Sequence, residues 1–109
     1  MTNVVIYTDN KNNYRGFLSS GHSGYASSGE DIVCAGISVL VINTVNAINE
    51  FTDDDIKVNS DEKLGEISLE FSAIPSEKSV LLIKTMILGL KGIIDNYGND
   101  YITLDYEEV

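Results

Sequence analysis

The sequence predicts an α+β domain in which two helices pack on one face of a single, mostly antiparallel or mixed sheet. Three observations favour this class. Short β-rich segments lie at both ends and in the middle of the chain, an apolar run extends from Ile32 to about Phe51, and a second helical stripe lies between Ser76 and Gly98. Together they give the order ββαββαβ. With 109 residues and no linker-like stretch, residues 1–109 are expected to form one domain.

The first two strands are predicted from composition and from the turn between them. Residues 3–9 are rich in Val, Ile and Tyr and end in the polar run at residues 9–13, which has turn chemistry. A second β-like segment covers residues 14–19. The two segments are expected to form a hairpin, with Gly21 marking its exit.

The first helix is predicted from the apolar run between Ile32 and Phe51. The run is too long for a strand and is apolar on nearly every side, so we expect a helix that is buried on most faces. Ser38, Asn43 and Asn46 interrupt it, which argues against a membrane span. Its many β-branched residues indicate that packing rather than intrinsic propensity holds it.

The second half of the chain is predicted to contain two strands, a helix and a last strand. A short strand near residues 56–59 is expected to pair, across residues 60–63, with a strand in which Ile67, Leu69 and Phe71 alternate with polar residues. Ser76 is placed to cap the second helix and Gly98 to end it. The apolar stripe of this helix is Val80, Ile83, Ile87, Leu90, Ile94 and Tyr97, and the last strand carries Ile102, Leu104 and Tyr106.

Net charge and composition limit the kinds of partner that this chain is expected to bind. The net charge is −10, with acidic residues concentrated near residues 50–62 and 100–108, and the clustered Lys and Arg that bind phosphates are missing, so we expect no direct nucleic-acid partner. The acidic surface is typical of a solvated surface that keeps a protein soluble, and it is also compatible with attraction of a basic protein. The first residues lack secretory-signal chemistry, so we expect a cytoplasmic protein with no membrane partner.

The chain contains one cysteine, Cys34, and one histidine, His22. This excludes an intrachain disulfide and a Cys/His zinc site, and no metal or other cofactor is expected. If Asp31 caps the first helix, Cys34 lies in the first turn, where the helix N-terminus favours a thiolate, and His22 is the one side chain able to exchange its proton near neutral pH. Spacing alone leaves open an inert buried cysteine and an ordinary surface histidine.

Three glycines, Gly21, Gly24 and Gly29, surround the segment between the histidine and the helix. They are compatible with a loop that closes over a substrate, and equally with a connection that needs positive φ angles.

The segment from Gly21 to Ser38 resembles the signature of the ribosomal-processing cysteine protease (Prp) family. It reads Gly-His-Ser-Gly-Tyr-Ala, then Gly29, then Asp-Ile-Val-Cys-Ala-Gly-Ile-Ser. The length, the β-rich start and the late Gly-Leu-Lys stretch before Tyr97 extend the resemblance over the whole chain. Ser23 stands where the family usually has Ala, a small-for-small difference that leaves the catalytic pair intact.

This resemblance implies a hydrolase, a thiol protease acting in ribosome biogenesis. Family members are homodimers that remove a short N-terminal extension from a large-subunit ribosomal protein. The implied catalytic pair is Cys34 as nucleophile and His22 as its proton-transfer partner. The expected substrate loop consists of Gly21, Ser23, Gly24, Tyr25 and Gly29.

Supporting roles at this site are expected for groups near the cysteine. The backbone N–H groups of Cys34 and Ala35 are candidates for binding the oxyanion. Asp31 either orients His22 or caps the helix, and Ser38 either supports the site or bonds its own helix backbone.

Two other functions stay open at this point. One is a non-catalytic ribosome-associated or assembly module of the same fold, which binds the same partner. The other is a thiol redox sensor in which Cys34 is oxidised reversibly and His22 is dispensable.

Overall fold

The computed structural model describes residues 1–21 and 28–109, with the side chains of residues 28–31 excepted. Its elements follow the predicted order. They are β1 (Thr2–Thr8), β2 (Tyr14–Ser20), α1 (Ser28–Phe51), β3 (Ile56–Asp61), β4 (Glu66–Phe71), α2 (Glu77–Tyr97) and β5 (Ile102–Glu108).

The five strands form one mixed sheet in the order β3-β4-β2-β1-β5. β1 and β2 form the predicted antiparallel hairpin, with Val4 opposite Ser19, and β3 pairs antiparallel with β4. β2 and β4 are also antiparallel, whereas β5 runs parallel to β1 with Thr2 opposite Ile102. The predicted α+β class and element order are confirmed.

Both helices cover the same face of the sheet, because the buried side chains of the central strands all project from one side. In β1 and β2, Val4, Ile6 and Phe17 are fully buried, whereas their neighbours on the other face are polar or partly exposed. This alternation is typical of a sheet with one packed face and one wet face. The core also includes these residues of the other elements: Val33, Ile37, Val41, Val45, Ile48, Leu69, Phe71, Ile83, Met86, Ile87, Leu90 and Ile102.

Helix α1 buries only one stripe, so the expectation that it is buried on most faces is wrong. Its outer side chains remain exposed: Ile32 by 63%, Val39 by 66% and Ile42 by 47%. The physical reason is the two-layer architecture, in which α1 rests on the sheet and beside α2, and none of the described residues covers its far side. By length and composition alone, residues Ile32–Phe51 could cross a membrane, but the buried stripe of α1 belongs to the core of this domain.

Helix α2 begins and ends where the sequence predicts. Ser76 is its N-cap and accepts a hydrogen bond from the backbone N–H of Ser79, while Gly98, at φ 84°, donates its N–H to the carbonyl of Ile94. Asp54, from the segment after α1, strengthens this start: its carboxylate accepts hydrogen bonds from the backbone N–H and the hydroxyl of Ser76 and from the hydroxyl of Ser79. These bonds tie the end of α1 to the start of α2.

Candidate active site

Cys34 lies on α1, where this helix passes the start of β1. Its side chain is partly buried, and its Sγ is 3.7 Å from the hydroxyl oxygen of Thr2. Thr2 is almost fully buried, and its backbone N–H donates to the carbonyl of Tyr101 at the entry of β5. The first strand of the sheet therefore holds a hydroxyl group against the candidate nucleophile.

The helix begins earlier than the sequence indicates. α1 starts at Ser28, so Asp31 is its fourth residue and Cys34 its seventh. The expectations that Asp31 caps the helix and that Cys34 occupies the first turn are therefore wrong. The polar run Ser27-Ser28-Gly29-Glu30 offers an alternative helix start upstream of Asp31, and the sequence pattern did not distinguish between the two.

This start also changes the position of the predicted oxyanion donors. From the fifth residue of an α-helix onward, each backbone N–H donates to the carbonyl four residues earlier. The N–H groups of Cys34 and Ala35 occupy such positions, because α1 begins at Ser28. For them to bind an oxyanion, the first turns of α1 would have to open.

Gly21 ends the second strand beside the start of the first. Its φ is +105°, and a Cβ atom built on it would overlap the backbone carbonyl oxygen of Met1. An L-residue rarely adopts this φ, so glycine is required both by conformation and by space. The close approach keeps the backbone at Gly21, the residue before His22 in the sequence, next to the strand that carries Thr2.

A groove of about 400 Å³ runs from this point between α1 and the turn that joins β3 to β4. Thr2 and Gly21 line one end, and Ser38 and Ile42 form the wall on α1. The opposite wall consists of Ser60, Asp61, Glu62, Gly65, Glu66 and Ile67. Ser38, predicted to support the site, is exposed and one turn beyond Cys34. The groove therefore connects the surroundings of the cysteine with an acidic turn.

A larger cavity, about 500 Å³, lies on the other side of the molecule. Tyr14, Lys84 and Tyr106 are among its lining residues, and none of the described site residues contributes to it. We assign the site by chemistry rather than by size, because the smaller groove is the one that reaches the contact partner of Cys34.

Several predicted site residues lie outside the part of the chain that the structure describes. They are His22, Ser23, Gly24 and Tyr25, together with the side chain of Asp31. Gly29 lies within the first turn of α1. The geometry of the proposed pair, Cys34 with His22, therefore stays a prediction.

The structure also brings to the site residues that sequence reasoning missed. Thr2 and the β3–β4 turn are distant in sequence from Cys34, and no motif marks them. Only the pairing of β1 with β5 and the position of α1 over the sheet bring Thr2 to the cysteine. For the turn, the acidic residues Asp61 and Glu62 were visible in the sequence, but the position of the turn beside α1 was not.

Comparison with known proteins identifies the family of this chain. Residues 1–103 match the sequence profile of the family described as Cysteine protease Prp. The ribosomal processing cysteine protease Prp of Staphylococcus aureus is 29% identical over 107 residues, which cover 98% of this chain and all of that protein. The protein of the same name from Bacillus subtilis is 33% identical over 101 residues, covering 86% and 90%.

Solved structures agree with these matches. The S. aureus ribosomal processing protease Prp in complex with a substrate peptide superimposes with a TM-score of 0.89, at 28% identity, over 98% of this chain and all of that one. The same protease in complex with a covalently linked product peptide superimposes with a TM-score of 0.86, at 29% identity and the same coverage. The similarity includes the whole α+β domain.

Proposed function

Because this chain belongs to the cysteine protease Prp family and is itself a cysteine protease, we propose that it removes a short N-terminal extension from a large-subunit ribosomal protein through a Cys34–His22 dyad. One observation carries the proposal: the cysteine of the family motif lies against a residue, Thr2, that also lines a groove of about 400 Å³. The relatives from S. aureus and B. subtilis are ribosomal processing proteases, and the proposal extends this activity to the present chain.

The proposed reaction is acyl transfer to water. The Cys34 sulfur attacks the scissile carbonyl carbon, forming a C–S bond, while the thiol proton passes to His22. The C–N bond then breaks, and His22 returns the proton to the leaving amine. In the second half, water attacks the thioester with His22 as base, the C–S bond breaks, and the acid product leaves with the thiol restored.

The groove favours a substrate whose extended peptide segment belongs to a basic protein. Asp61, Glu62 and Glu66 line one wall, and the chain as a whole carries a net charge of −10. Asp61 also stabilises the turn itself, because its carboxylate accepts the backbone N–H groups of Lys63 and Leu64. A ribosomal protein, rich in cations, would be attracted to this surface over a range set by ionic strength. We therefore propose that the protein acts in the cytoplasm.

The outer face of α1 supports the proposed homodimer. Ile32, Ala35, Val39 and Ile42 follow one another at three- and four-residue intervals, and all are exposed. No charged residue occurs from Ile32 to Asn49, which is unusual for a helix face that stays in water. A second copy of the chain, related by a two-fold axis, would cover the same stripe with its own α1.

The experiment that tests the function uses the purified protein with a large-subunit ribosomal protein that carries its N-terminal extension. Product masses are read for wild type, Cys34→Ala and His22→Ala. We expect wild type to release one defined N-terminal peptide and both variants to lose at least about 1,000-fold in rate, because each removes a group that takes part in bond making.

Other outcomes separate the alternatives. If the substrate binds wild type tightly but stays intact, the protein is a non-catalytic assembly module and not a protease. Full activity in His22→Ala, with loss only in Cys34→Ala, would refute the dyad. Binding that changes on reversible oxidation of Cys34, without any cleavage, would indicate a redox sensor instead.

A further inference from the structure

The Thr2 hydroxyl is nearly inaccessible to water, and its described partner is a sulfur atom. The side chain is 4% exposed, and its Oγ1 lies 3.7 Å from the Sγ of Cys34. Among the described residues the structure gives this hydroxyl no other partner. A buried hydroxyl without a hydrogen bond is costly, so the contact with Cys34 satisfies a group that folding has removed from water.

The backbone of Thr2 is fixed independently of this contact. Its N–H donates to the carbonyl of Tyr101 at 2.9 Å, and it lies in register with Ile102 on the parallel neighbour strand. Gly21 packs against the carbonyl of the preceding residue, Met1. The hydroxyl is therefore presented to the sulfur by the sheet, with little freedom to move away from it.

The direction of the hydrogen bond depends on the charge of the sulfur. Either atom can donate while Cys34 is a thiol, but only the hydroxyl can donate once the sulfur is a thiolate. Hydrogen bonds to a charged acceptor are about twice as strong as those between neutral groups. A fixed hydroxyl at this position therefore stabilises the thiolate more than the thiol.

We propose that Thr2 is a positioning residue that donates a hydrogen bond to the Cys34 thiolate and so increases the charged, nucleophilic fraction of the sulfur at neutral pH. This inference deepens the proposed protease function and rests on it for its catalytic meaning. Its physical content is a property of the sulfur alone and is measurable without any substrate.

The test is the pH dependence of alkylation by iodoacetamide, which reacts with the thiolate and has one cysteine to react with in this chain. Thr2→Val removes the hydroxyl and keeps the shape, and Thr2→Ser keeps the hydroxyl. In Thr2→Val we expect the midpoint of the rate profile to move to higher pH by about half a unit to one unit. Below the midpoint alkylation is expected to slow about two- to fourfold, because the smaller thiolate fraction is partly offset by the greater nucleophilicity of the more basic sulfur.

At high pH the difference in alkylation rate between wild type and Thr2→Val is expected to reverse or disappear. Both sulfurs are then fully ionised, and the more basic thiolate of Thr2→Val reacts as fast as wild type or up to about threefold faster. Thr2→Ser is expected to follow the wild-type profile. A merely structural role would instead slow Thr2→Val by one factor at every pH, and that result, or coincident profiles, would overturn the inference.

Two further measurements keep the test decisive. If Thr2→Val does not fold, as judged by thermal unfolding, Thr2→Ala removes the hydroxyl with a smaller side chain and is expected to show the same displacement. The pH profile of kcat/KM is expected to move with the alkylation profile. If the alkylation profile of Thr2→Val is displaced but wild type cleaves no substrate, the proposed protease function is refuted and the role assigned to Thr2 stands. If wild type cleaves its substrate but the alkylation profile of Thr2→Val is not displaced, the role assigned to Thr2 is refuted.

Discussion

The carbonyl oxygen of Met1 faces Gly21 so closely that the backbone at this point has no room for a side chain. Gly21 also has φ +105°, a value that L-residues rarely adopt. The lack of space and the positive φ are independent constraints, and both apply to the residue that precedes His22 in the sequence. The end of β2 is thus held against the start of β1, beside the groove.

Gly21→Ala is therefore expected to destabilise the protein. Backbone strain at such a φ costs about 1–3 kcal/mol, and displacement of the Met1 carbonyl adds to it, so we expect the free energy of unfolding to fall by about 2–4 kcal/mol. Cleavage is expected to fall at least about tenfold, because the movement shifts residues next to the site. Urea unfolding and cleavage kinetics measure the two effects.

Gly92→Ala is the matched control. Gly92 lies within α2, and a Cβ atom there meets nothing within 4 Å. Alanine has the higher helix propensity, so this variant is expected to gain about 0.5–1 kcal/mol in stability and keep full activity. Equal effects of the two substitutions would contradict the role assigned to Gly21.

Asp54 is expected to contribute stability above pH 4 and to lose it in acid. Burial raises the pKa of Asp54, but hydrogen bonds from Ser79 and Ser76 lower it by more in total, so the pKa lies below its ordinary value of 3.8. The carboxylate therefore stabilises the fold above the unfolded value, and this contribution disappears as the pH falls through the lower folded value. Asp54→Asn is expected to cost about 1–2 kcal/mol at pH 7, as loss of a helix cap does.

The measurement for Asp54 is urea unfolding of wild type and Asp54→Asn between pH 7 and pH 2. The difference between them is expected to stay constant down to about pH 5 and to shrink as the pH falls from about 4 through the lower folded value, where the wild-type carboxylate becomes protonated in the folded protein as well. Asp53→Asn, a substitution at the exposed neighbouring position, serves as control and is expected to change stability by less than about 0.5 kcal/mol. A difference that does not vary with pH would argue against stabilisation of the start of α2 by a charged carboxylate.

Val39→Asp is expected to convert the proposed dimer to a monomer. The substitution places one carboxylate per copy in the proposed α1 interface, and burying an unpaired charge there costs at least about 3 kcal/mol, equivalent to about 100-fold in the dissociation constant. Light scattering after size-exclusion chromatography gives the mass. Leu81→Asp on α2 is the control, because Leu81 is 65% exposed against 66% for Val39. If Leu81→Asp alone dissociates the dimer, the interface lies on α2.

Cleavage of a basic protein substrate is expected to depend on salt. We expect kcat/KM to fall about five- to tenfold between about 0.05 M and 0.5 M salt, with kcat unchanged, because screening weakens encounter and not chemistry. A short, uncharged peptide spanning the same cleavage site is the control and is expected to vary by less than about twofold. If cleavage of the protein substrate does not depend on ionic strength, the acidic surface has no role in binding.

Elements with strong local signals were predictable. The stripe of α2, its cap at Ser76 and its end at Gly98 follow from side-chain spacing and capping chemistry, both of which act within a few residues. The start of α1 was misplaced, because the segment before Asp31 offers more than one polar residue at which a helix can begin. The exposure of Val39 could not be predicted either, since an apolar residue gives the same signal whether its own chain or another covers it.

The sequence by itself determined the element order, the single-domain organisation expected for the chain, and the identity of the candidate nucleophile, because these depend on local periodicity and on a motif. The tertiary structure decided which groups surround that nucleophile. Thr2 reaches Cys34 across 32 positions in the chain, and the β3–β4 turn reaches α1 only through the order of strands in the sheet. Contacts of this kind are set by non-local strand pairing and by helix packing on the sheet, for which neighbouring residues carry no signal.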